Sequence, residues 1–267
     1  MNPNSSQTSR VALVRPPGAL LDQGLVSHIE RQPVDLKLAM SQWEAYRSAM
    51  EANGWTTIEV PGADDCPDAV FVEDTMVVFR NVAVISRPGA DERKPETIEA
   101  EKVVESLGLS INRIRPPGTL DGGDVLKIGD TVYVGRGGRT NAEGIRQLRS
   151  ILEPLGANVI AVTLTKVLHL KSAVMALPDG TIVGHPPLVD DPGVFDRFLP
   201  VPEESGAHIV LLGGPKLLIA SNCPKTQAMY AELGYEPIVI DMSEFQKLEG
   251  CVTCLSVRLR HLTGWPN

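Results

Sequence analysis

Short apolar runs rich in β-branched residues recur along the chain in pairs, each pair split by a turn signal. Val70–Val78 and Asn81–Arg87 flank Arg80-Asn81, and Asp124–Ile128 and Thr131–Gly135 flank Gly129-Asp130. Ser172–Ala176 and Thr181–Gly184 flank Pro178-Asp179-Gly180, and Ile209–Leu212 and Leu217–Ser221 flank Gly213-Gly214-Pro215. This pattern predicts four β-hairpins. Between them, Val34–Asn53, Pro95–Leu107, Asn141–Leu155 and Lys225–Leu233 carry apolar residues at three- and four-residue spacing, which predicts helices. Asn53-Gly54, Gly108, Gly156 and Gly234 supply the stops. A short strand is expected after each helix, at Thr56–Val60, Ser110–Arg115, Asn158–Val162 and Pro237–Ile240.

The hairpins start roughly every 40–50 residues, the kind of period that marks a repeat architecture. Val11–Arg15 and Val252–Arg260 are left as half-units at the two ends, and pairing them would leave no open strand edge. The expected fold is therefore α/β, with five ββαβ-like units around a pseudo-fivefold axis and the terminal strands closing the ring. No linker divides residues 1–267, so one domain is expected, with residues 1–10 as a disordered tail. One helix region, Leu188–Phe198, is weak and holds Pro192.

Composition narrows the function. A hydrophobic content of 43% is that of an ordinary globular protein. A net charge of −8 argues against nucleic acid as a partner, because phosphate binding needs clustered Lys and Arg. No stretch approaches 18 consecutive apolar residues, so no membrane partner is expected, and Met1–Arg10 has no secretory h-region. Four cysteines, Cys66, Cys223, Cys251 and Cys254, suggest no disulfide framework in a chain this long, and the expected compartment is the cytoplasm.

Four segments offer reactive groups. Cys251 and Cys254 have CxxC spacing, yet no second pair or histidine cluster lies near enough in sequence for zinc, and the pair opens a predicted strand, unlike a thioredoxin-type motif. Buried inert thiols are the plainer alternative. His169, between two leucines at a predicted strand head, is of a type that more often fills a structural role. Asp68, Glu73 and Asp74 surround the apolar run Val70-Phe71-Val72, where adjacent carboxylates are costly unless a cation or donors compensate them. A planar guanidinium does so through paired N–H groups. Asp121-Gly122-Gly123-Asp124 reads as a tight turn and has too few oxygen ligands for a Mg²⁺ or Ca²⁺ site. Each motif lies near the head of the first strand of its own unit, so a ring would bring all four to one pocket. A thiol, a histidine and carboxylates around a cation are the parts for nucleophilic attack on a guanidinium carbon.

From Val11 to Arg260 the chain resembles the dimethylarginine dimethylaminohydrolases of the pentein superfamily. The markers are Pro67-Asp68-x-x-Phe71-Val72-Glu73-Asp74, Arg87-Pro88-Gly89, Leu120-Asp121-Gly122-Gly123-Asp124-Val125-Leu126, Arg139-Thr140-Asn141, Leu168-His169-Leu170-Lys171-Ser172 and Thr253-Cys254-x-Ser256-Val257. The resemblance implies a pentein α/β propeller that cleaves Nω-methylated arginine to citrulline and a methylated amine. It implies Cys254 as nucleophile, His169 as proton donor and then base, and Asp121 as support for the His169 end of the site. Asp74, with Glu73 beside it, would hold the guanidinium, and Asp68 the α-amino group. Arg93 and Arg139 would meet the α-carboxylate, Leu248 would offer a backbone contact, and Val26 would fall at the lid. The partner is then a small cationic guanidino compound, with no metal and no cofactor, and a homodimer is left open. Two departures stand out: Glu249-Gly250 replaces an expected Asp-Gly, and Leu255 stands where some relatives have a second cysteine. The alternatives are arginine deimination or amidino transfer, both usual on longer chains, hydrolysis of another Nω-substituted guanidine, a non-catalytic pentein binding protein, and a CxxC redox or zinc protein.

Overall fold

The computed structural model describes residues 9–262. Of the ten residues expected as a tail, 1–8 lie outside the described residues, while Ser9 and Arg10 open the first strand. In chain order, β1 (Ser9–Val14), α1 (Leu36–Ala52) and β2 (Thr56–Glu59) come first. They are followed by β3 (Met76–Phe79), β4 (Val82–Ile85), α2 (Thr97–Ser106) and β5 (Ser110–Arg113). Next are β6 (Val125–Ile128), β7 (Thr131–Arg136), α3 (Ala142–Leu152) and β8 (Asn158–Thr163). Then come α4 (Leu170–Ala173), β9 (Val174–Ala176), β10 (Ile182–Gly184) and β11 (Phe198–Pro200). The chain closes with β12 (Ile209–Gly213), β13 (Lys216–Ala220), α5 (Pro224–Glu232), β14 (Glu236–Ile240), α6 (Ser243–Gln246) and β15 (Val257–Leu262).

These strands form five three-stranded sheets of one design: an antiparallel pair plus a third strand parallel to the middle one. Four sheets are continuous in sequence. The fifth is built from both chain ends, because β15 pairs antiparallel with β1 and β2 runs parallel to β1. The expected pairing of the terminal half-units is thus present. Local signals explain the helices. Asp35 caps α1 by accepting from Lys37 N and Leu38 N, and Asn141 caps α3 by accepting from Gly144 N. Helix α1 buries Trp43, Tyr46 and Met50 against Ala12, Val14 and Leu218.

Two features depart from the expected pattern. Between β10 and β11 there are only two 3₁₀ turns, Pro186–Leu188 and Pro192–Val194, where the other units have a helix. More importantly, the hairpin strands start later than predicted. Short helical turns precede them: Val72–Thr75 before β3, Gly122–Asp124 before β6, α4 before β9 and Glu204–Ala207 before β12. Residues 252–255 form a turn ahead of β15. Asp74, His169 and Cys254 therefore sit on or beside turns, not within strands.

Candidate active site

Those turns bring the reactive groups of four units together. Asp74 lies on the Val72–Thr75 turn, with Oδ1 accepting from Gly123 N at 2.7 Å and Oδ2 accepting from Arg93 Nη1 at 2.7 Å. Gly123 permits this approach, since a Cβ there would stand 2.6 Å from Asp74 Oδ1 and 2.7 Å from His169 Nδ1. Arg93 is held flat by Glu96, through Nε to Oε1 at 3.0 Å and Nη2 to Oε2 at 2.8 Å. Asp121, immediately before the Gly122–Asp124 turn, lies 3.0 Å from His169 Nε2 through Oδ2 and accepts from Gly89 N at 2.9 Å through Oδ1. Arg139 Nη1 stands 3.6 Å from Asp121 Oδ2. Asp68 accepts from Leu25 N at 3.0 Å, and burial pushes its carboxyl above the usual range.

The Cys254 sulfur accepts from Cys251 N at 3.4 Å and lies 3.3 Å from Cys251 Sγ. Its backbone carbonyl accepts from Glu73 N at 3.1 Å, which ties the cysteine turn to the acidic turn. Gly250 packs edge to edge with Phe71, whose ring would be 2.4 Å from any Cβ there. The hydrogen bond with Cys251, burial, and the negative charges of Glu73 and Asp74 all hold the Cys254 thiol well above its ordinary pKa. Burial also works against charge on His169, but Asp74, the Asp121 hydrogen bond and Asp124 outweigh it and raise the imidazole to about 9. For Asp74, burial is likewise outweighed: His169 and Arg93 hold the carboxylate well below its usual range. At neutral pH the site in this state pairs a thiol with an imidazolium.

Asp74, Asp121 and His169 offer atoms within 4.8 Å of one another, close enough to hold an ion. Each is already engaged by protein: Asp74 Oδ1 by Gly123 N, and His169 Nε2 by Asp121. The donor set, acceptor carboxylates around a charged imidazole, suits proton transfer better than metal ligation, which needs neutral His.

Asp68, Asp74, Arg93, Arg139, His169, Leu248 and Cys254 line one cavity of about 20 Å³, and Asp121 stands behind His169. Two expected residues fall elsewhere. Val26 does not reach the wall; its neighbour Leu25 does, and Val26 packs on the core beside α1. The Glu73 carboxylate faces a different cavity, where Oε1 meets Lys171 Nζ at 2.6 Å and Arg258 Nη2 at 2.8 Å. Only its backbone N–H serves the cysteine turn. Leu25, Phe71, Leu168, Glu249 and Gly250 complete the wall, and none of them is among the expected site residues. Glu249 had a signal in its sequence neighbourhood: a bulky acidic residue before Gly250, and its φ is 60°. Its carboxylate accepts from Ser27 N at 3.0 Å and from the His28 backbone N–H, latching the loop that carries Leu25. His208 is buried and donates from Nε2 to the Ser172 carbonyl at 2.9 Å.

The sheets and this cysteine–histidine–carboxylate site define a guanidino-group-modifying fold, and the arginine deiminase family model matches residues 19–213. Within that class the chain is 65% identical to an N(G),N(G)-dimethylarginine dimethylaminohydrolase of Streptomyces coelicolor over 254 residues, covering 95% of this chain and 98% of that protein. It is 35% identical to the enzyme of the same description from Pseudomonas aeruginosa, over 92% of this chain and 98% of that one. The Pseudomonas aeruginosa structure complexed with citrulline superposes with a TM-score of 0.87 at 33% identity, covering 94% of this chain and 99% of the other. The chain belongs to the dimethylarginine dimethylaminohydrolase family.

Proposed function

We propose that the chain hydrolyses Nω-methylated arginine to citrulline and methylamine or dimethylamine. The observation that carries this reading is the meeting of Cys254, His169 and Asp74 in one cavity, with Asp121 on the far side of the imidazole. The family's named activity and a solved relative holding citrulline support it.

The steps follow from the local charges. The Cys251 hydrogen bond, burial and the nearby carboxylates keep Cys254 protonated. A guanidinium entering beside Asp74 adds the positive charge that favours the thiolate, whose proton leaves to solvent. The thiolate adds to the guanidinium carbon, forming the C–S bond. Collapse breaks the C–N bond to the methylated nitrogen, which leaves as the amine with a proton from His169. His169, now neutral, takes a proton from the water that attacks the same carbon. Breaking the C–S bond then releases citrulline and regenerates the cysteine. Asp121 keeps the imidazole oriented and basic enough for both roles. Asp68, Arg93 and Arg139 are disposed to meet the α-amino and α-carboxylate ends. The present cavity holds little more than a water, so binding requires the Leu25 and Glu249 walls to part. We assign the reaction to the cytoplasm and to protein side chains alone.

The test is citrulline formation from asymmetric dimethylarginine, monomethylarginine and arginine, with wild type and Cys254→Ser side by side. Turnover of the methylated substrates that disappears in Cys254→Ser is expected. Preferential turnover of arginine would overturn the substrate and move the chain to deimination.

A further inference from the structure

An acidic chain encloses one strongly basic recess. A cavity of about 80 Å³ is lined by Glu73, Lys127, Lys171, Arg258 and Arg260, and it shares the last two and Lys127 with an adjoining space of about 340 Å³. In the outer space Arg80 is paired with Asp130 at 3.2 Å. In the inner one, four cations face a single carboxylate.

That carboxylate is overcommitted at one oxygen and unused at the other. Lys171 Nζ and Arg258 Nη2 both meet Glu73 Oε1, while Oε2 is buried with no partner among the described residues. Arg258 spends Nη1 on the Thr253 and Ser256 carbonyls and Ser256 Oγ. Lys127 gives one hydrogen to the Val78 carbonyl, and neither it nor Arg260 has a carboxylate partner among the described residues. Lys171 is only 8% exposed and uses one of its three N–H groups on Glu73. Lys127 is half-buried and Arg260 exposed, so each keeps some contact with solvent. What makes the recess an anion site is that four cationic side chains turn to one space with a single, already engaged carboxylate among them. Desolvation and the charges of Lys171, Arg260 and Arg258 push Lys127 down to about 7, only partly offset by Glu73.

We propose that this recess binds a small oxyanion with the size and charge of inorganic phosphate. The inner volume holds one tetrahedral oxyanion or a few waters, and the unused ammonium and guanidinium hydrogens can reach several oxygens at once. A monatomic anion could meet only part of that set. The outer space leaves room for the substituent of a phosphomonoester, so the shared chemistry is the phosphoryl group. Because Glu73 N–H also holds the Cys254 carbonyl, filling the recess firms the turn that carries the thiol.

The experiment is thermal melting of the full chain at constant ionic strength with added phosphate, adenosine monophosphate or chloride, for wild type and Lys127→Met/Arg260→Gln. Phosphate or the monophosphate is expected to raise the midpoint in proportion to the logarithm of its concentration, and chloride much less. The double variant is expected to bind at least tenfold more weakly while melting no earlier than wild type without anion. A larger response to adenosine monophosphate than to phosphate supports the recess and assigns it to phosphomonoesters. Equal responses to chloride and phosphate, or an undiminished response in the variant, overturn the proposal. If the double variant melts early, Lys127→Met alone carries the same comparison, since it trades a repelled charge and one bond to the Val78 carbonyl for an apolar side chain.

Discussion

Glu73 and Asp74 are neighbours in one helical turn and equally buried, yet they face opposite electrostatic worlds. Asp74 joins Asp68, Asp121, Asp124 and Glu96 against Arg93, Arg139 and the His169 imidazolium, so carboxyl groups outnumber cations on that side. Glu73 stands alone against four cations. A single turn thus separates a place for a cation from a place for an anion. The net charge of −8 reports neither side. The same pair of residues also shows why adjacency in sequence is a poor guide to shared function: successive side chains on a 3₁₀ turn point about 120° apart.

The sharpest way to break the comparison is to neutralise each carboxylate in turn. Asp74→Asn removes the carboxylate proposed to face the substrate cation, and losing one partner of a buried ion pair costs about 3–5 kcal/mol. A fall in kcat/KM of roughly 10²- to 10³-fold is expected in the citrulline assay, with folding retained because Glu96 still holds Arg93. Glu73→Gln should act mainly on stability. Lys171 and Arg258 would face a neutral amide, costing about 3 kcal/mol and lowering Tm by roughly ten degrees, while kcat/KM stays within about tenfold. Equal losses of activity in the two variants would erase the distinction.

The separation was only half legible in the sequence. Helices and hairpins could be read because their signals are local: Asp35 and Asn141 are N-caps, and Gly108, Gly156 and Gly234 follow the helical segments at φ of 80–89°. Strand β11 escaped because it is three residues long and the stretch before it holds Pro186, Pro187 and Pro192. The Val72–Thr75 turn read as strand because Val70-Phe71-Val72 is an apolar run. What bends it is distant, including the Glu73 N–H bond to the Cys254 carbonyl across the whole chain. Asp68, Asp74, His169 and Cys254 were therefore found as residue types in suggestive settings, whereas the direction of the Glu73 side chain required Lys171 and Arg258 to be seen beside it. Glu96, which holds Arg93, gave no sign among many helical glutamates.

A titration would sharpen the contrast more gently. Ordinary chemistry has histidine losing its proton near 6.5 and lysine near 10.4. Here His169 is raised to about 9, and Lys127 is lowered to about 7, so the order is reversed. NMR of the two side chains in anion-free buffer should show it. Because the folded pKa of His169 exceeds the unfolded value, its stabilisation is complete below about 6.5 and is lost as pH rises through about 9. Lys127 has the opposite shift, so its penalty is largest below about 7 and is relieved as pH rises toward its ordinary value. Asp121→Asn should lower the His169 value by about one unit and leave Lys127 untouched. A normal order of titration would mean that neither side is as charged as the contacts imply.

The smallest expected effect lies at the wall of the acidic side. Leu25 and Val26 are adjacent, but only Leu25 lines the cavity, and its N–H, which any residue supplies, holds Asp68. Leu25→Ala therefore keeps that bond and loses only apolar cover, at about 0.8 kcal/mol per buried methylene. A rise in KM of about three- to tenfold with little change in kcat is expected, because cover over the proposed α-amino end is lost equally from ground and transition states. Val26→Ala should cost about 1 kcal/mol of stability from the core beside α1 and leave KM within about twofold. A KM effect at Val26 comparable to that at Leu25 would put the moving wall one residue later, and with it the loop that Glu249 latches through Ser27 and His28.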